Sequence, residues 1–164
     1  MSESSRVTSR PAARELVASW REDRQRVVFA NGVFDLLHVG HLRYLEGARA
    51  LGQRLVVAVN GDHSTAAHKG PGRPVVPALE RAALVASLRC VDAVVIFDEP
   101  TVDALLRELR PDVHAKGTDY VAEGVPERAT MRALGGETAI TGDAKAHASR
   151  DLVERIRRGG REPR

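Results

Sequence analysis

Two histidines separated by two residues, His38 and His41, lie in a segment whose composition suits phosphate chemistry. Residues 31–41 read Asn-Gly-Val-Phe-Asp-Leu-Leu-His-Val-Gly-His, and they follow the apolar run 26–30. A strand, a glycine-containing turn and a helix start direct backbone N–H groups and a positive dipole end at an anion. Two imidazole donors there would stabilise the extra charge of a five-coordinate phosphorus centre. The pattern predicts a phosphate site; the simpler interpretation is two hydrogen-bonded histidines at a helix start.

Polar residues after the second predicted strand supply further candidates. Asn60 and Asp62 follow the apolar run 55–59, and we predict that they bind hydroxyl groups of a second substrate, with an ordinary turn as the alternative. Lys69 and Arg73 lie in a stretch rich in glycine and proline, from which a lysine can reach phosphates as a point charge. A solvated loop is the alternative for both cations.

Other candidates follow the first, fourth and fifth predicted strands. Gly32 allows the backbone to approach a ligand closely, and Asp35 is predicted to cap the next helix. Lys116 ends an apolar strand before Gly117 and is expected to point at the ligand. Ser149 opens the last predicted helix, where a serine caps the helix or offers N–H groups to a phosphate.

Apolar runs typical of strands alternate with helical patterns along most of the chain. The predicted strands are 26–30, 55–59, 91–97, 113–116 and 137–141. The predicted helices are 11–23, 38–51, 78–88, 100–109, 126–134 and 149–158, and residues 60–76 are predicted to be a loop. This alternation predicts an α/β fold with a five-stranded parallel sheet and helices on both faces. Ligands bind such sheets beyond the carboxyl ends of the strands.

The composition fits a single ordinary domain. The chain has 164 residues, of which 43% are hydrophobic and 29% charged. We expect residues 1–10 to be disordered, 11–158 to form one domain and 159–164 to be a basic tail. The single cysteine, the lack of a signal-like start and the lack of an apolar run of ~20 residues predict a cytoplasmic protein outside the membrane.

The positive charge is concentrated at the end of the chain. Residues 150–164 hold six arginines and three acidic residues, and their net charge of +3 equals that of the whole chain. Cations suit the carboxyl end of a helix, so the high isoelectric point does not by itself indicate a nucleic-acid partner. The single cysteine and the lack of a second His/Cys cluster also argue against structural zinc.

Residues 32–41 resemble the signature of the cytidylyltransferase-like nucleotidyltransferases, with its His-x-Gly-His motif. Further segments are similar to the adenylyltransferases that make ADP-heptose from heptose 1-phosphate and ATP: 58–62, 69–75, 80–81, 91–92 and 111–120. The resemblance spans about residues 26–157. It implies a Rossmann-like fold, nucleotidyl transfer with release of pyrophosphate, a homodimer, and Mg²⁺ bound mainly through the nucleotide phosphates.

The resemblance also implies roles for individual residues. Catalysis would rest on His38, His41 and Lys69. The nucleotide would contact Gly32, Val33, Phe34, Gly40, His41, Arg89, Lys116, Gly117, Asp119, Lys145, His147 and Ser149. The acceptor substrate would contact Asn60, Asp62, Lys69 and Arg73. No metal held by protein ligands is implied.

Two departures from the family pattern keep alternatives open. Relatives usually open the last helix with a run of hydroxyl residues, whereas this chain has Ala148-Ser149-Arg150. Residues 89–92 resemble the Arg-x-Val-Asp of cytidylyltransferases, which use CTP. A cytidylyltransferase acting on glycerol 3-phosphate or another alcohol phosphate is therefore the alternative enzyme. A non-catalytic nucleotide- or RNA-binding module is the alternative of another class, and the basic tail favours it.

Overall fold

Five parallel strands form one sheet in the computed structural model, which describes residues 6–143 and 149–159. The strands are β1 (Val27–Gly32), β2 (Arg54–Asn60), β3 (Ala93–Phe97), β4 (Val113–Gly117) and β5 (Glu137–Thr141). Their order across the sheet is β3-β2-β1-β4-β5, and neighbouring strands pair in parallel. The predicted Rossmann-like α/β sheet is confirmed.

The described ranges contain seven α-helices. They are α1 (Arg10–Glu22), α2 (Val39–Arg49), α3 (Asp62–Lys69), α4 (Ala78–Ser87), α5 (Asp103–Leu109), α6 (Arg128–Ala133) and α7 (Ser149–Arg157). The first helix begins where Ser9 accepts a hydrogen bond from the N–H of Ala12 and where Pro11 occupies the first turn. A helix long and apolar enough to cross a bilayer is not found within residues 6–143 or 149–159.

Alternating side chains divide the core between the two faces of the sheet. Val27 and Phe29 of β1 pack in one cluster with side chains of α1, α5 and α6, whereas Val28 and Ala30 pack in another with α2 and α4. We call these sides the α5 face and the α2 face. Strand β2 is buried from residue 55 to residue 60, as expected for a strand covered on both faces.

The central position of β1 creates a crevice at one edge of the sheet. From β1 the chain continues to β2 and β3 on one side, whereas β4 and β5 pair on the other side. The loop after β1 therefore diverges from the loop after β4. Parallel sheets bind ligands at such a switch point, beyond the carboxyl ends of the strands.

The segment after β2 differs from the expectation. Residues 60–76 are predicted to be a loop, but residues 62–69 form α3. Asp62 lies in the first turn of this helix and Lys69 ends it, so both charges complement the helix dipole. The eight-residue helix carries no long apolar stripe from which its periodicity could be recognised.

The start of the chain also differs from the expectation. Residues 6–10 are predicted to be disordered, yet Val7 forms a β-bridge with Val94. The Arg6 guanidinium donates to the carbonyl oxygens of Ala86 and Val91, at 3.2 Å each. Arg6 and Val7 therefore pack against the sheet and the segment before β3, and residues 1–5 lie outside the described part of the chain.

Candidate active site

A cavity of about 550 Å³ opens at the carboxyl ends of the strands, at the switch point beside β1. Its volume falls in the usual range for small-molecule sites. Twelve of the predicted site residues line it: Gly32, Val33, Phe34, His38, Gly40, His41, Asn60, Lys69, Lys116, Gly117, Asp119 and Ser149. The sequence motifs therefore converge on one site.

The two histidines form a capping box at the start of α2. The Nδ1 atom of His38 accepts from the N–H of Gly40 at 3.1 Å, and the N–H of His38 donates to Nδ1 of His41 at 3.3 Å. The rings stack with their centroids 3.9 Å apart. Because each Nδ1 accepts a backbone N–H, a neutral ring must carry its proton on Nε2. The helix start therefore holds both imidazoles as Nε2–H donors beside its positive dipole end.

The environment of His41 keeps its ring uncharged. The ring of Phe34 contacts it edge-on, with a centroid separation of 5.3 Å. Burial lowers the pKa of His41 to about 4, and the electrostatic interactions of the ring with His38 and Lys69 act in the same direction. At neutral pH, His41 can therefore donate a hydrogen bond to a phosphate while its ring carries no net charge.

Tyr44 holds the histidine helix against the sheet. Its hydroxyl donates to the carbonyl oxygen of Ala115 on β4 at 2.8 Å, and its ring stacks on Phe34. Burial raises the pKa of Tyr44, so the phenol stays protonated and keeps this hydrogen bond. The sequence analysis missed Tyr44, although it follows His41 by three residues and must share a helix side with it.

Asp35 binds the loop after α3 and does not cap α2, so the predicted capping role is wrong. Its carboxylate, 1% exposed, accepts from Nε of Arg73 at 2.7 Å and from the N–H groups of Val75 and Val76 at 2.9 and 3.0 Å. Burial acts to raise the pKa of Asp35, but these hydrogen bonds and the Arg73 charge hold it below the ordinary value. His38 takes the capping position instead.

Three predicted site residues do not line the cavity in the described structure. Arg73 is paired with Asp35. Asp62 accepts from the Arg81 guanidinium at 2.8 Å. Arg89 is exposed and precedes β3, so it lies at the opposite edge of the sheet from the cavity. The predicted ligand contacts of these residues are therefore not supported by their placement.

Arg81 is a site-building residue that the sequence analysis did not single out. Its fully buried guanidinium donates to the carbonyl oxygens of Val33, Asn60 and Val76, at 2.6, 2.7 and 2.8 Å. These carbonyls belong to the segment after β1, to the last residue of β2 and to the segment after α3. One side chain thus connects the backbone at three places, and two of them, Val33 and Asn60, line the cavity.

Two helix termini also line the cavity. Lys69, the last residue of α3, is exposed and lies near enough to His41 to affect the pKa of that ring. Ser149, the first residue of α7, lines the cavity as well. The predicted nucleotide contacts Lys145 and His147 lie outside the described residues.

Several lining residues were not predicted as ligand contacts: Asn31, Arg43, Tyr44, His68, Thr101, Tyr120, Glu127 and Thr141. Glu127 falls within the predicted helix 126–134. It does not directly follow a predicted strand, which was the signal that indicated the other site residues. Across residues 6–143 and 149–159, no group of three or more His, Cys, Asp or Glu side chains could hold a metal ion.

Comparisons with known proteins agree with this geometry. The cytidylyltransferase-like family matches residues 29–149. This chain belongs to that family. It is 44% identical over 140 residues to the bifunctional protein HldE of Methylobacillus flagellatus, and 47% identical over 134 residues to the HldE of Azotobacter vinelandii. These matches cover 85% and 82% of the chain.

The matched relatives are much longer proteins. The chain spans 29% and 28% of the two HldE sequences, so it corresponds to about three-tenths of each. A solved structure that is similar over most of both chains is the crystal structure of the lipopolysaccharide core biosynthesis protein from Thermoplasma volcanium. It is 30% identical with a TM-score of 0.64, and the match covers 74% of this chain and 99% of that one.

Proposed function

We propose that the chain is a nucleotidyltransferase that transfers AMP from ATP to a heptose 1-phosphate, giving ADP-heptose and pyrophosphate. The observation that carries the proposal is the pair of stacked histidines, both fixed as Nε2–H donors, at a cavity that Lys69 also lines. Family membership and the similarity to HldE proteins support it. The lipopolysaccharide core protein among its relatives is consistent with a sugar acceptor.

The reaction needs positioning and charge neutralisation more than a protein nucleophile. An oxygen of the sugar phosphate attacks the α-phosphorus of ATP, and the bond from that phosphorus to the bridging oxygen of the β-phosphate breaks. The electron pair leaves with pyrophosphate. His38 and His41 donate to the oxygens of the five-coordinate phosphorus, and Lys69 neutralises charge between the two substrates.

The described residues do not form a cage for a divalent cation. The groups on the histidine side of the cavity are hydrogen-bond donors and a lysine, which suit phosphate oxygens and not a metal ion. Mg²⁺ bound through the nucleotide phosphates remains an expectation. The homodimer implied by the resemblance also remains a prediction.

The segment that suggested CTP has a structural explanation. Asp92 of the Arg-x-Val-Asp element accepts from the N–H of Leu55 at 2.8 Å and from the Arg54 guanidinium at 3.0 Å. Asp92 and Arg89 precede β3, away from the cavity. Their presence therefore gives no reason to prefer CTP over ATP, and similarity to HldE favours ATP.

A pyrophosphate-release screen tests the proposal. The purified chain is incubated with each of four nucleoside triphosphates and with heptose 1-phosphate, glycerol 3-phosphate and other sugar and polyol phosphates. We expect release with ATP and heptose 1-phosphate, and its loss in the His41→Ala variant. Release with CTP and an alcohol phosphate would identify the alternative enzyme. No release with any pair would refute the enzymatic proposal and favour a binding module.

A further inference from the structure

The cavity has a second, polar half that the phosphate chemistry does not use. Asn31 and Asn60 follow Phe29 and Ala58 of the α5-face cluster by two residues each, so alternation places their side chains on the α5 face. Lys116 and Glu127 also line the cavity. We call Asn31, Asn60, Lys116 and Glu127 the polar half. The two histidines, in contrast, project from α2 on the other face of the sheet.

Glu127 is the residue of the polar half with the least satisfied side chain. It immediately precedes α6, lines the cavity and has a side chain that is 7% exposed. In the described structure its Oε2 atom has no hydrogen-bond partner. The Lys116 ammonium lies 3.7 Å from this oxygen, which is an ion pair but too long for a hydrogen bond. A residue that lines the cavity thus carries a buried carboxylate oxygen that can accept a hydrogen bond from a ligand donor.

Lys116 leaves the carboxylate in this under-bonded state because its ammonium is shared. Its Nζ atom is 3.5 Å from Oδ1 of Asn31 and 4.7 Å from the ring centroid of Tyr120. The amide oxygen of Asn31 is engaged more closely by Nε2 of His114, at 2.9 Å. Burial lowers the pKa of Lys116, while the carboxylate of Glu127 opposes that shift. The geometry of Lys116 and Glu127 therefore leaves hydrogen-bonding capacity on both side chains.

Sugar hydroxyls match this arrangement. Each hydroxyl donates one hydrogen bond and accepts others, so one hydroxyl of a sugar can donate to Glu127 while its oxygen accepts from Lys116. We propose that Glu127 accepts hydrogen bonds from sugar hydroxyls of the bound substrates and so contributes to recognition of a polyhydroxylated ligand. The inference rests on the proposed function only in that the ligands are a nucleotide and a sugar phosphate.

Two sugars are present in the proposed reaction, the ribose of ATP and the heptose of the acceptor. Isothermal titration calorimetry separates them, because binding is measured without turnover. The probes are α,β-methylene-ATP, its 2′-deoxy form and heptose 1-phosphate. We expect Glu127→Ala to weaken one of the two hydroxyl-rich ligands by about tenfold or more, as for loss of a hydrogen bond to a charged group, with Glu127→Gln in between.

The probe whose affinity falls in the Glu127 variants identifies the sugar that Glu127 contacts. A loss confined to α,β-methylene-ATP, and smaller for its 2′-deoxy form, assigns Glu127 to the ribose. A loss confined to heptose 1-phosphate assigns it to the acceptor. The matched control is Glu123→Gln, which neutralises an exposed glutamate of the same segment, paired with Arg128 at 3.8 Å, and should bind all probes as the wild type does.

Other outcomes overturn the inference. If the Glu127 variants lose folding stability but bind both ligands like the wild type, Glu127 has only a structural role as the ion-pair partner of Lys116. A wild-type protein that binds none of the probes would also contradict it. If binding depends on Glu127 but no pyrophosphate is released in the screen above, the inference stands and the proposed enzymatic function fails.

Discussion

The uncharged state of His41 makes the fold sensitive to mild acid. In the unfolded chain a histidine has a pKa near 6.5, whereas burial, with His38 and Lys69 nearby, lowers the pKa of folded His41 to about 4. As the pH falls below 6.5, the His41 imidazole therefore binds a proton in the unfolded chain but stays unprotonated in the folded chain. The stability contributed by the neutral ring is complete above pH 6.5 and is lost as the pH falls from there towards 4.

The size of this effect follows from the two pKa values. At ~1.4 kcal/mol per pKa unit, the full loss is about 3 kcal/mol below pH 4. At pH 5 the folded ring is still mostly neutral, and about 2 kcal/mol of that stability has gone. His41→Gln removes the titrating ring but keeps an amide donor near the position of Nε2, so the variant should lack this component.

Urea denaturation of the wild type and of His41→Gln at pH 7.5 and pH 5 measures the difference. We expect the wild type to lose about 2 kcal/mol more than the variant between the two conditions. Buried His114, whose pKa is lowered by burial to about 3, is present in both proteins and cancels. Equal pH dependence in the two proteins, or an NMR titration midpoint of His41 near pH 6.5, would refute the reasoning.

Three further predictions follow from the site and its support. His41→Ala should lower kcat by roughly 10²–10³ with a normal folded spectrum, as for loss of one oxyanion donor, and near-wild-type turnover in a steady-state assay would exclude the assigned role. Asp35→Ala leaves three donors unpaired and should lower the free energy of unfolding by about 3 kcal/mol in urea; a change under ~0.5 kcal/mol would contradict the proposed anchoring. Gly52→Ala places a Cβ 2.6 Å from the carbonyl oxygen of Arg26 and should destabilise the chain by about 2 kcal/mol. The control Gly124→Ala meets an ordinary contact of 3.5 Å and should denature at a urea concentration close to that of the wild type, unlike Gly52→Ala.

The sheet and the position of the histidine pair at a helix start could be predicted from the sequence because their signals are local. The apolar run 55–59 indicated a strand covered on both faces, and β2 is buried from residue 55 to residue 60. The pattern of residues 31–41 predicted both imidazoles at a helix start, and both line the cavity at the start of α2. Hydrophobic periodicity and turn-forming residues depend only on neighbours in the chain, so both can be recognised in a single sequence.

The roles of individual charged residues could not be predicted in the same way, because they depend on distant partners. Asp35 has the residue type of a helix cap, but its hydrogen bonds come from a loop about forty residues later in the chain. Arg73 and Asp62 have residue types suited to a substrate, yet the fold pairs them with Asp35 and Arg81. Such pairings become visible only when the loops after different strands are brought together.

The division of the cavity between the two faces of the sheet has an evolutionary consequence. The histidines are supported by α2 and its cluster, whereas Glu127 adjoins α6, whose buried Met131 belongs to the other cluster. The hydrophobic cluster on the α5 face can adjust to a substitution in the segment before α6 while the cluster on the α2 face keeps its packing. Variants of this fold can therefore change the groups that contact a ligand beside α6 while the helix that carries the histidine pair stays as it is.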